Sequence, residues 1–75
     1  MSHLADLAVG DRARVVRVTG DDEISLRLLE MGLTPGVDVH LLGRAPLGDP
    51  LEFEVRGYHL SVRKSEALRV EIESL

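Results

Sequence analysis

Apolar residues fall on every second position through most of the chain. Val37, Val39 and Leu41 alternate with Asp38, His40 and Leu42, which predicts a half-buried strand. Leu51, Phe53 and Val55 do the same against Glu52, Glu54 and Arg56. Leu60 and Val62, with His59, Ser61 and Arg63 outward, predict a further strand. Leu68, Val70 and Ile72 predict the last one, with Arg69, Glu71 and Glu73 facing water. The first strand runs from Asp11 to Val18 and breaks phase at its centre. Ala13 and Val15 share a face, then Val18 returns one residue late, the slip a β-bulge produces. Gly20 ends it.

Between the first two strands the period changes. Ile24, Leu28 and Met31 stand at i, i+4 and i+7, one face of a helix predicted from Asp22 to Met31. Asp21-Asp22-Glu23 supplies an N-cap and acids in the first turn, where they meet the positive end of the helix dipole. Gly32 follows Met31 where a helix takes a left-handed C′ residue, and only glycine does so without a Cβ clash. Pro35-Gly36 offers a fixed φ followed by a permitted positive φ, the chemistry of a type II turn. Leu26 and Leu29 form a second stripe on another face. They either pack beneath Leu4 and Leu7, the plainer reading, or meet a partner.

Leu4 and Leu7 are three apart and predict one short helical turn that ends at Val9-Gly10. Gly43 to Pro50 reads as a loop from its prolines and glycines. Gly57-Tyr58 reads as a turn, and Lys64 to Ala67 as one tight turn. The expected architecture is a small five-stranded β-barrel with one helix between its first and second strands, closed so that no sheet edge is exposed.

Leu28-Leu29-Glu30-Met31-Gly32-Leu33 with Pro35-Gly36, followed by Ala45-Pro46-Leu47-Gly48-Asp49-Pro50, resembles the FeoA family of ferrous-iron transport proteins. The spacing of Gly10, Gly20, Gly57 and the run from Leu68 to Ile72 extends the resemblance over nearly the whole chain. It implies an SH3-like barrel with a helical insertion. It also implies a cytosolic accessory of a membrane ferrous-iron transporter that has its own G-protein domain.

At 75 residues the chain makes one domain, spanning 1–75. A domain this small buries only about 60% of its unfolded surface, so each core leucine counts. There is no Cys, hence no disulfide and no thiolate ligand. No apolar run approaches the roughly 18 residues of a membrane span, and Met1-Ser2-His3 opens no signal peptide, so a soluble cytosolic protein is expected. Thirteen acids against nine bases leave a formal charge of −4. Arg12, Arg14 and Arg17 are the one local basic cluster. With one Tyr, one Phe and no Trp there is no base-stacking platform, so nucleic acid is not the expected partner.

His3, His40 and His59 are the only imidazoles, and two of them fall on outward strand faces. Convergence with Glu52 or Glu54 is conceivable, but a site needs three or four ligands at once, and no metal or cofactor is expected. Ser25, Ser61, Ser65 and Ser74 lack a base at diagnostic spacing, and the glycines are isolated, so no enzyme is expected. Arg63-Lys64, the only adjacent basic pair, reads as solvated.

What remains is contact. Pro46 and Pro50 stiffen the most distinctive loop and Gly48-Asp49 turns it, which leaves the apolar Leu47 at its tip unexplained. Leu47 either folds back into the barrel or stands out. The expected partner surface is therefore Leu26, Leu29, Pro46, Leu47, Asp49 and Pro50, with Gly32, Pro35 and Gly36 as structural turn residues. The expected partner is the transporter, met at the inner face of the membrane, with weak self-association besides. The alternative is a stand-alone relative of the SH3-like domain of iron-dependent repressors. An RNA-binding barrel is opposed by charge, and a metal chaperone by ligand count.

Overall fold

Ser2 and His3 form a strand too short for any periodicity to show. In the computed structural model, which describes residues 2–75, they pair with Ile72 and Glu71. Among the described residues there are therefore six strands rather than the expected five: β1 Ser2–His3, β2 Arg12–Val18, β3 Asp38–Arg44, β4 Leu51–Val55, β5 Tyr58–Val62 and β6 Val70–Ser74. They make one antiparallel sheet in the order β1-β6-β2-β3-β4-β5. Among the described residues no ladder joins β5 to β1, so the sheet is not a hydrogen-bonded closed barrel. Helix α1, Glu23–Glu30, falls between β2 and β3, and a one-turn helix α2, Lys64–Ala67, precedes β6.

The alternation read from the sequence becomes the core. Val39 and Leu41 of β3, Leu51, Phe53 and Val55 of β4, Val62 of β5, and Val70 and Ile72 of β6 are all buried against Leu28 and Leu33. Each fully buried Leu, Val or Phe contributes about 1.5–3 kcal/mol relative to exposure. The phase slip in β2 is a register shift between Val15 and Arg17 against Ile72 and Glu71. A second shift lies between Leu41 and Gly43 against Phe53 and Glu52, and leaves Leu42 exposed. Gly43 inside a strand is the residue type that marks such a bulge.

Three positions differ from expectation. Gly43 and Arg44, expected in the loop, extend β3 past the bulge by pairing with Glu52 and Leu51. The β4–β5 turn is Arg56-Gly57, both at positive φ (52° and 84°), and Tyr58 already belongs to β5. Leu68 does not start the last strand. It caps the C-terminus of α2 and is 52% exposed, while Ala67 beside it is fully buried. The helical turn then sets the phase, and strand alternation begins only at Val70.

Candidate partner-binding surface

Helix α1 is fixed at both ends by side chains from elsewhere in the chain. At its start the Ser25 amide donates to Asp22 Oδ1 at 3.2 Å, an N-cap as expected. Arg69 Nη1 donates to the same oxygen at 2.6 Å. That bond, followed by the one from the Ser25 amide, holds the Asp22 carboxyl below the usual carboxylate range. At its end Gly32 has φ 109°, and the amides of Gly32 and Leu33 donate to the carbonyls of Leu29 (3.0 Å) and Leu28 (3.2 Å). This is a Schellman motif, with Leu28 and Leu33 both fully buried as its apolar contact. Two residues on, the Val37 amide donates to the Thr34 carbonyl at 3.1 Å across Pro35-Gly36. Gly36 at φ 90° takes the second central position of that turn.

The helix buries Ser25 and Leu28 and half-buries Ile24 and Met31. Of the second stripe, Leu26 is 57% exposed and Leu29 is half-buried. Leu26 is thus not packed beneath Leu4 and Leu7, which sit in the 3₁₀ turn and its cap, against α2 and β6.

The Ala45–Pro50 loop joins β3 to β4. The Ala45 amide donates to the Pro50 carbonyl at 3.0 Å and the Gly48 amide to the Ala45 carbonyl at 2.9 Å, and the Asp49–Pro50 peptide is cis. Leu47 stands out with φ 73° and 105% relative exposure, so it does not fold back. Pro46 and Asp49 are exposed and Pro50 is half-buried. Asp49 Oδ1 accepts the Lys64 amide at 2.9 Å, which ties the loop to the start of α2.

No hydrogen bond or ion pair joins α1 directly to this loop among the described residues; α2 links them. It holds the loop through Asp49 and α1 through the Arg27–Glu66 ion pair. Leu26 lies in sequence between Asp22 and Arg27, and Leu68 between Glu66 and Arg69. The exposed leucines of α1 and α2 are therefore bracketed by the same two pairs. Sequence reading misses Leu68 and both pairs, whose partners are 39 and 47 residues apart. Arg63 and Lys64 are exposed, with Arg63 as the cap residue of α2.

The histidines find carboxylates, though not in sufficient number. His59 Nε2 lies 2.9 Å from Glu52 Oε1, which also accepts the Ser61 hydroxyl at 3.0 Å. His40 Nδ1 is 4.0 Å from Glu54. Among the described residues no group of three or more His, Asp or Glu is arranged to hold a metal ion.

A family model described as FeoA domain matches residues 2–74. The chain belongs to the FeoA family. It is 37% identical over 70 residues to the Fe(2+) transport protein A/Fe(2+) transporter FeoB fusion protein of Porphyromonas gingivalis. The match covers 93% of this chain but only 8% of the fusion protein. FeoA from Chlorobium tepidum has a similar structure, with TM-score 0.89 and 36% identity over 99% of this chain and 70% of that one. Stenotrophomonas maltophilia FeoA, described as an SH3 domain protein and solved in complex with zinc, matches with TM-score 0.85 and 31% identity. That match covers 97% of this chain and 91% of the other. T. acidophilum IdeR shares the fold at 21% identity and TM-score 0.85, over 99% of this chain and 34% of that one. That last likeness is one of fold alone.

Proposed function

We propose that this FeoA-family domain binds the cytosolic part of a ferrous-iron transporter, at its G-protein domain, and modulates uptake by contact without chemistry of its own. The observation that carries this reading is the fusion relative, in which a homologous segment and the transporter FeoB share one polypeptide. Partners joined in one chain meet at high effective concentration, an arrangement that favours a functional contact between them. The domain would then act at the inner face of the membrane, where its partner holds it. No helix among the described residues is long and apolar enough to cross a membrane itself.

The contact surface we assign is the exposed apolar side of α1 and α2 with the stiff loop beside them. Leu26, Leu29 and Leu47 supply apolar area, and Pro46, Asp49 and Pro50 hold Leu47 outward. Exposed leucines on a scaffold with few aromatic residues are the groups that gain most from burial against a partner. The repressor-domain alternative has only shared fold in its favour.

The test is a pull-down from membranes with the bound proteins identified, using the parent domain and Leu47→Gly. Glycine accepts the left-handed backbone at 47 without strain, so this variant keeps the loop and removes only the side chain. Recovery of the transporter by the parent and its loss by Leu47→Gly supports the reading. Recovery of no transporter by a folded parent overturns it.

A further inference from the structure

Three arginines of this acidic domain stand apart from the rest, and two of them share a cavity. Arg14, Arg17, Arg27 and Arg69 pair with Asp38, Glu71, Glu66 and Asp22, and Arg44 donates to the Leu7 carbonyl. Arg63 lies beside the loop, at a separate cavity. Among the described residues, Arg12, Arg56 and Arg63 have neither an ion pair nor a side-chain hydrogen bond. Arg12 and Arg56 line one cavity of about 190 Å3, together with Asp38, His40, Glu54 and Leu75. Strand register puts Arg12, His40 and Glu54 in one row across β2, β3 and β4, and Arg56 lies two residues beyond Glu54. The acids of the cavity already have neighbours. Asp38 holds Arg14 at 2.9 Å, and Glu54 faces His40. Its arginines are free.

A second observation points to the same place. Arg56 occupies the first central position of the β4–β5 turn at φ 52°, followed by Gly57 at φ 84°. Two-residue turns with both φ positive favour Asn, Asp or Gly at that first position, and a long side chain there is strained. Departures from local preference collect where a side chain serves a ligand. Here the departure falls on a residue that lines the cavity.

We propose that Arg12 and Arg56 form a binding site for a carboxylate. The planar fork of each guanidinium matches the two oxygens of a carboxylate, and a pair of them can take it from two sides. A phosphate would fit the forks equally well. Asp38 and Glu54 in the same lining repel a second negative charge, which favours the monoanion. The site is independent of the contact surface on α1, α2 and the loop, and it stands or falls without transporter binding.

Amide NMR spectra of the isotope-labelled domain, titrated with acetate, chloride or phosphate at matched ionic strength and neutral pH, test it. The expected result is a saturable shift of Arg12, His40, Arg56 and Gly57 with acetate and none with chloride. Arg56→Asn should fold with a higher unfolding midpoint than the parent and bind acetate about tenfold more weakly, as loss of one charge-assisted contact gives. An N-acetyl-glutamate amide run alongside separates the two sources of such a group. Acetate binding as tightly marks a free small acid, a clear advantage for the glutamate amide marks an acidic side chain of a protein, and either supports the site. Equal linear shifts with acetate and chloride, tighter binding of phosphate, or undiminished binding by Arg56→Asn would overturn it.

Discussion

The hydroxyl of Tyr58 donates to the carbonyl of Met31, joining the first residue of β5 to the C-cap of α1. It thereby fills the space where a Cβ on Gly32 would sit. Gly32 is constrained twice, by its left-handed backbone and by that hydroxyl. Gly32→Ala should cost about 1–2 kcal/mol for the backbone alone, and more for displacing Tyr58. In a Tyr58→Phe background the same change should cost less, because the hydroxyl is gone. Chemical denaturation of the two single variants and the double variant reads this as a coupling energy; strict additivity would disprove the shared space.

Helix α1 separates core leucines from surface ones within three residues. Leu28→Ala should destabilise the domain by about 2–5 kcal/mol, since it empties a fully buried site. Leu26→Ala should stay within about 0.5 kcal/mol of the parent. Run through the membrane pull-down at a temperature where both are folded, Leu26→Ala should lose transporter and Leu28→Ala should keep it. If Leu26→Ala binds like the parent, the partner reads another face.

The Asp22–Arg69 pair gives stability a direction with acid. Asp22 is held below the usual carboxylate range in the folded domain, chiefly by its hydrogen bond from Arg69. Its contribution is therefore fully present above the ordinary aspartate value. It is lost as pH falls through the lowered one, where the folded carboxylate at last takes up a proton. Asp22→Asn keeps a competent cap but no charge, so its unfolding midpoint should vary less with pH across that window than the parent's. Parallel curves for the two proteins would remove Asp22 as the titrating group.

Glu66 is only 9% exposed, and Arg27 is its ion-pair partner. The two ways of breaking the pair should not be equal. Arg27→Met leaves a carboxylate at a poorly solvated position without its cation, whereas Glu66→Gln leaves a solvated arginine and a neutral amide. Arg27→Met should therefore be the more destabilising, although the exposure of Arg27 keeps both effects near the scale of a surface pair, about 1 kcal/mol or less. Denaturation midpoints that rank the other way would show that Glu66 is held by packing rather than by charge.

How far the fold could be read from the sequence depended on how local the signal was. Gly32 and Gly36 were legible because a helix stop and a type II turn are decided by a few adjacent residues. The β2 bulge was legible because it disturbs a period. Ser2–His3 was not, since two residues carry no period and their pairing with Ile72 and Glu71 is purely tertiary. Leu68 was misread because an alternating pattern extends backward through Val70 without a break, while the one-turn helix rotates it outward. Leu47 stands outward on a left-handed backbone, and neither feature is revealed by composition. The clamps on α1 needed the topology, because Arg69 and Glu66 reach it only after the sheet has brought β6 back to β2. That no ladder joins β5 to β1 among the described residues was likewise not legible, as periodic strands look the same with or without it.

The pairing of Ser2 with Ile72 and of His3 with Glu71 has a consequence for architecture. It sets Ser2 and Ile72 side by side on neighbouring strands, one β-ladder spacing of about 4.7–4.9 Å apart. A unit whose first and last strands are paired can be spliced into a host protein like a bead on a loop, without asking the host to bridge a long distance. The same geometry makes the domain suited to circular permutation: a short linker between the old ends, with new ends opened at the exposed Leu47 tip, preserves every strand pairing described above.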